Sequence, residues 1–129
     1  MAGVRALLFI VSAMACLLSV SMAGTDHIVG GDFGWQIPPT TSYYQDWAKD
    51  RTFTVGDTIT FPHTTSMHSV VEVTKGDYDA CTQTEVLGMY YLGPTVLDLT
   101  EPGMHYYFCG VGMHCEAGQK LSIDVKPSA

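Results

Sequence analysis

Two runs of alternating apolar residues, His105 to Cys109 and Lys120 to Val125, flank a short segment that holds Gly110, Gly112 and Gly118. The alternation predicts a strand on each side, and the glycines permit a tight turn between them. A loop anchored at both ends by strands presents its side chains from fixed positions. This one reads Cys-Gly-Val-Gly-Met-His-Cys-Glu-Ala-Gly-Gln from Cys109 to Gln119, so it carries a thiol, an imidazole, a second thiol and an amide. The sulfur, nitrogen and oxygen donors of Cys109, His114 and Gln119 suit a transition metal.

Upstream, short strands follow one another. After Phe53 comes a turn at Val55-Gly56-Asp57, then Ile59 and Phe61 alternate with threonines up to Pro62, and His68 to Val73 forms a β-branched run. Val86 to Leu92 and Val96 to Leu99 add two more strands, separated by Gly93-Pro94 and closed by Glu101-Pro102-Gly103. Strands this short and this close imply an all-β chain, an antiparallel sandwich or barrel. Ile28 and Val29 suggest an opening strand, and Trp35 is a core residue. Ser42 is a candidate cap for a short helix with Tyr44, Trp47 and Ala48 on one face, and Asp77 to Cys81 reads as a helical turn.

The first residues read differently. Arg5, the apolar stretch from Ala6 to Val20 and the small residues Ser21-Met22-Ala23 predict a secretory signal peptide over residues 1–23. The apolar stretch is short of the ~20 residues a spanning helix needs. Residues 24–129 then form one domain. The chain has 13 acidic residues against 6 basic ones, a net charge of -7 that becomes more negative once Arg5 leaves with the leader. The charge therefore argues against nucleic acid and anionic membrane surfaces as partners. Of the four cysteines, Cys16 lies in the leader, and Cys81, Cys109 and Cys115 remain for an oxidising compartment. That leaves one disulfide and one spare thiol, and metal ligation gives the spare thiol a role.

His68, at the start of its strand, is the best candidate for a further donor. Two imidazoles and a thiolate form the trigonal plane of a blue copper site, completed by a weak axial methionine or glutamine. Here these would be His68, Cys109, His114 and Gln119. His63 is the competing histidine, but it follows Pro62 in a stretch rich in threonine and serine. His27 and His105 are expected to be surface or hydrogen-bonded strand residues, and Met104 and Met113 to be packing or surface residues. Zinc is the rival metal, yet the paired spacings of structural zinc sites are missing. A copper oxidase would need an open position or further metals, and the remaining histidines form no second cluster.

The motifs together resemble a family. His68-Ser-Val-x-x-Val73 with Tyr78-x-x-Cys81, Gly103-x-x-Tyr106-x-Phe108-Cys109-Gly110, Gly112-x-His114-Cys115 and Gly118-Gln119-Lys120-Leu121 resemble the phytocyanins, the plant blue copper proteins. His27-Ile-Val-Gly-Gly, Gly34-Trp35, Trp47-Ala48 and Phe53-x-Val55-Gly56-Asp57-Thr58 fit the same pattern. The resemblance implies a cupredoxin-like Greek-key β-sandwich with one or two short helices. It also implies one type 1 copper ion on His68, Cys109, His114 and Gln119, and a Cys81 to Cys115 disulfide. Many members carry methionine where Gln119 stands, and glutamine there is similar to the stellacyanin branch.

The function implied is that of a secreted one-electron carrier, not an enzyme, cycling copper between Cu(II) and Cu(I). Its redox partner, small molecule or protein, is unidentified. The expected setting is a monomer in the apoplast or cell wall. The alternative is a cell-wall or signalling protein in which copper is structural or incidental. The chain contains no asparagine, which excludes N-glycosylation, and no apolar tail follows Lys126-Pro127, which argues against a membrane anchor.

Overall fold

The computed structural model describes residues 24–128, so the expected leader over residues 1–23 lies outside the described residues. In chain order the strands are β1 (Asp26–Ile28), β2 (Phe53–Thr54), β3 (Thr58–Phe61), β4 (Val70–Val73), β5 (Val86–Tyr90), β6 (Thr95–Asp98), β7 (Gly103–Phe108) and β8 (Lys120–Lys126). Two short helices, α1 (Tyr43–Ala48) and α2 (Lys75–Ala80), and a 3₁₀ turn at Gly31–Phe33 complete the elements. No helix among the described residues is long and apolar enough to cross a membrane.

The strands form two sheets, one ordered β1-β3-β6 and the other β2-β8-β7-β4-β5. The expected antiparallel pairing holds for most neighbours, but β1 runs parallel to β3 and β2 parallel to β8. These parallel pairs join segments far apart in sequence, and local alternation carries no information about direction. Alternation does decide which side chains go inside. Ile59 and Phe61 of β3, and Leu121, Ile123 and Val125 of β8, are buried between the sheets with Trp35, Tyr44, Val70 and Tyr107. Each such side chain contributes about 1.5–3 kcal/mol by leaving water.

A second, smaller core lies on the outer face of the five-stranded sheet. Val71 and Val73 of β4 and Phe108 of β7 pack there with Cys115, and Tyr78, Cys81 and Tyr106 lie against them. The layer therefore brings α2 and the loop after β7 together. Cys81 at the end of α2 is bonded to Cys115, with Cα atoms 5.9 Å apart and a sequence separation of 34. Closing a loop of that length stabilises by about 4 kcal/mol in the chain-entropy account.

Two local expectations are adjusted. The strand expected from His68 starts at Val70, and His68 itself makes an isolated bridge with Thr65. Ser42 occupies the cap position of α1, but its hydroxyl bonds the Asp46 carboxylate at 3.1 Å instead of a helix N–H.

Candidate metal centre

Strand pairing sets the positions of the candidate donors. Val71 of β4 faces Phe108 of β7, and Phe108 faces Lys120 of β8. The residues just outside these strands at that end, Ser69 before β4, Cys109 after β7 and Gln119 before β8, therefore share one end of the five-stranded sheet. Cys109 N–H donates to the Gln119 carbonyl at 3.0 Å, which carries the β7 to β8 ladder one step past the strands. Between them the loop folds on itself. His114 N–H bonds Val111 O at 3.1 Å, and Gln119 N–H bonds His114 O at 3.0 Å. Gly118 is required here, because its φ is +108° and a Cβ would lie 2.7 Å from the Thr41 backbone.

Three donor atoms meet at this end. Cys109 Sγ lies 3.5 Å from His114 Nδ1 and 3.9 Å from His68 Nδ1. The two imidazoles are 5.1 Å apart between ring centres and inclined by 45°. The ligand atoms of His68, Cys109 and His114 all lie within 4.8 Å of one another, so one small ion can reach all three. Cys109 is the free cysteine among the described residues and is 1% exposed, whereas both histidines are partly exposed. Burial, and after it the neighbouring His114, holds His68 below the ordinary imidazole range, which favours the neutral ring that a metal requires.

Gln119 closes the site from below. Its side chain is fully buried, and its Nε2 lies 3.2 Å from His68 Nδ1. Its Oε1 has no hydrogen-bond partner among the described residues. Leaving such an acceptor unpaired costs about 1–3 kcal/mol, and a bound cation would remove that cost. Thiol, two imidazoles and an unpaired buried amide oxygen are the donor types of a blue copper site, so these residues fit copper.

The other histidines and methionines stand apart. His63 Nε2 is 2.8 Å from Thr95 Oγ1 and its Nδ1 is 3.1 Å from Thr64 O, which leaves neither nitrogen for a metal. His27 pairs with Asp57 and His105 with Glu72. Met113 is 71% and Met104 49% exposed, both as surface residues.

Ser69 is the functional residue that the sequence reading missed. Its N–H points at Cys109 Sγ at 3.4 Å, its hydroxyl accepts from Gly110 N–H at 2.9 Å, and its carbonyl accepts from the Trp35 indole N–H at 2.9 Å. It thereby orients the sulfur and fixes the backbone beside His68. Its position directly after His68 is the only sequence signal, and serine is too common in loops for that to stand out.

A sequence profile for the plastocyanin-like domain matches residues 35–119. Cucumber peeling cupredoxin of Cucumis sativus is 43% identical over 103 residues, 78% of this chain and 75% of that protein. Stellacyanin of Toxicodendron vernicifluum is 36% identical over 103 residues, 78% of this chain and 96% of that protein. Some relatives are longer. The chain spans 65% of the early nodulin-like protein 14 of Arabidopsis thaliana, at 40% identity, and 58% of a blue copper protein of Pisum sativum, at 38%. Among solved structures, cucumber stellacyanin with Cu2+ at pH 7.0 matches with a TM-score of 0.77 and 40% identity, covering 84% of this chain and 100% of that one.

Proposed function

We propose, since this chain belongs to the plastocyanin-like family of blue copper proteins, that it carries single electrons on one copper ion held by His68, Cys109, His114 and Gln119. The observation that carries this reading is the convergence of Cys109 Sγ with two imidazole nitrogens above a buried amide whose oxygen has no other partner. Copper, when bound, supplies the Cu(II)/Cu(I) couple.

The chain's own residues do the rest. Cys109 offers a thiolate in a site from which its burial excludes bulk water, and the Ser69 N–H satisfies part of its charge. Cys109 directly follows β7, Gln119 immediately precedes β8 and His68 lies two residues before β4, so sheet hydrogen bonds resist their displacement. His114 lacks a strand of its own. It is fixed instead by the loop hydrogen bonds and by the Cys81 disulfide to its neighbour Cys115. Donors held this firmly move little between oxidation states, which keeps the reorganisation that accompanies an electron small. The partly exposed imidazoles form the face that a redox partner approaches.

The reading extends to the compartment. Cleavage after Ala23 would release a monomeric domain outside the cell, where the disulfide is stable. N-terminal sequencing of the exported protein should give Gly24 first, and a retained Met1 would reject that part. The central test is to add copper to the purified mature protein and record visible and paramagnetic resonance spectra. An intense blue thiolate band is expected. A folded protein that stays colourless and silent would overturn the electron-carrier reading.

A further inference from the structure

Away from the copper residues, the two sheets part on the side where β5 and β6 are edge strands. Between them lies a cleft of about 420 Å³, walled by β4, β5, β6, β7 and the turn at Thr100-Glu101. Its floor is polar where alternation would place apolar residues. Along β4, Val70 is in the core, so Glu72, two residues on, points to the same inner side. Glu72 stands opposite Tyr107 across the β4 to β7 ladder, and His105 lies two residues before Tyr107 on the same face. A carboxylate, an imidazole and a phenol thus face the interval between the sheets.

The hydrogen bonds in the cleft are unevenly used. His105 has both nitrogens engaged, Nδ1 at 3.3 Å from Glu72 Oε2 and Nε2 at 2.8 Å from the Glu101 carbonyl. The donor capacity of the imidazole is therefore spent. Tyr107 is 1% exposed and lines the cleft, yet no group among the described residues hydrogen-bonds its hydroxyl. Glu101 adds an acidic residue at the rim, whereas Asp98, next to the inward Leu97, turns its side chain to the other face of β6. The free capacity of the cleft is thus mostly acceptor oxygen with net negative charge, beside the ring of Tyr90 and the side chain of Leu97.

We infer that this cleft binds a small organic ammonium ion, a primary amine on an aliphatic or aromatic carrier. Its N–H groups would donate to Glu72, the Tyr107 hydroxyl and Glu101 at the rim, and its carbon body would lie on Tyr90 and Leu97. A metal ion fits less well. The cleft is not among the clusters of the described residues in which three metal-ligating side chains lie within 4.8 Å of one another.

The test is a titration of the mature Cu(I)-loaded protein with 1,4-diaminobutane, followed by amide chemical shifts. Saturable shifts at Glu72, Leu97, His105 and Tyr107 are expected. The affinity should fall about tenfold in Glu72→Gln and by a smaller factor in Tyr107→Phe, which keeps the ring. Tetramethylammonium has the same type of charge but no N–H, and should bind more weakly. If either inner variant fails to fold, the exposed-rim variant Glu101→Gln must weaken binding instead. Absence of saturable shifts, equal binding of tetramethylammonium or calcium, or undiminished affinity in the folded variants would each overturn the assignment.

Discussion

The two ends of the sandwich each hold a histidine against an acidic or soft partner, and they treat it in opposite ways. At one end His27 Nε2 lies 2.9 Å from Asp57 Oδ2, and the two Asp57 oxygens also accept the N–H groups of Thr25 and Thr54, each at 3.0 Å. Burial pushes the Asp57 carboxyl up, but the bonds from His27, Thr25 and Thr54 outweigh it and hold the group below its usual range. Every polar atom there has work within the protein. At the other end the nitrogens of His68 and His114 turn toward one thiol, and the Gln119 oxygen has no partner among the described residues. The difference separates a structural histidine from a candidate ligand: the first is saturated by the fold, and the second keeps capacity that a further group can use.

The comparison breaks most sharply at Cys109. Cys109→Ser should abolish the blue band entirely while the Cys81 to Cys115 bridge and the fold persist, as read by visible spectra and peptide mass mapping. A bridge mapped to Cys109 in the copper-loaded protein would remove the assignment. Next comes the ion itself. Its donors come from segments that meet only in the folded chain, so free copper at a thousand times its Kd should stabilise by about 4 kcal/mol. Equal melting temperatures with and without copper would contradict this.

At the saturated end the effect is on folding alone. Asp57→Ala removes the acceptor of the buried His27 ring and of the part-buried Thr25 and Thr54 N–H groups, and should cost about 1–3 kcal/mol in denaturant unfolding, with the copper spectrum unchanged. Asp77 extends the same test to pH. Hydrogen bonds from Thr82 and Thr84, together with the Glu85 N–H, hold its carboxyl at about 2. A depressed carboxyl contributes its full stability above the unfolded value of 3.8, and that contribution is lost as pH falls toward 2. Melting temperature should therefore drop over this acid range in the wild type, and drop less in Asp77→Asn. The smallest change is expected in Gln119→Met. A thioether is a softer donor than an amide oxygen and favours Cu(I), so the reduction potential should rise and the paramagnetic resonance spectrum change without loss of copper. Wild-type values for both would show that Gln119 is not a ligand.

The donors close in sequence were the most legible part of the site. Cys109, His114 and Gln119 fall in one loop between two alternating strands, and the structure brings the first two together with His68 above the third. The strands were legible for the same reason, since burial at every second residue leaves a period in the chain. Long-range facts were not. Nothing local tells that β1 and β3 run parallel, and the Cys81 to Cys115 pairing came from the family resemblance alone. Glu72 was hidden inside Val70-Val71-Glu72-Val73, where the residues of two faces read as one apolar run. Ser69 was hidden because its role depends on three partners far away in sequence.

The bond from Cys109 N–H to the Gln119 carbonyl closes the loop at its mouth. In the vocabulary of protein engineering, residues 110–118 are a cassette: both splice points are pinned by the sheet, and of the candidate ligands only His114 rides on the insert, beside Cys115 with its bond to Cys81. Loops of other lengths spliced between those points should move one ligand and retune the metal while leaving the β7 to β8 amides protected from hydrogen exchange. Loss of that protection in such grafts would mean that the insert and the sheet are a single cooperative unit.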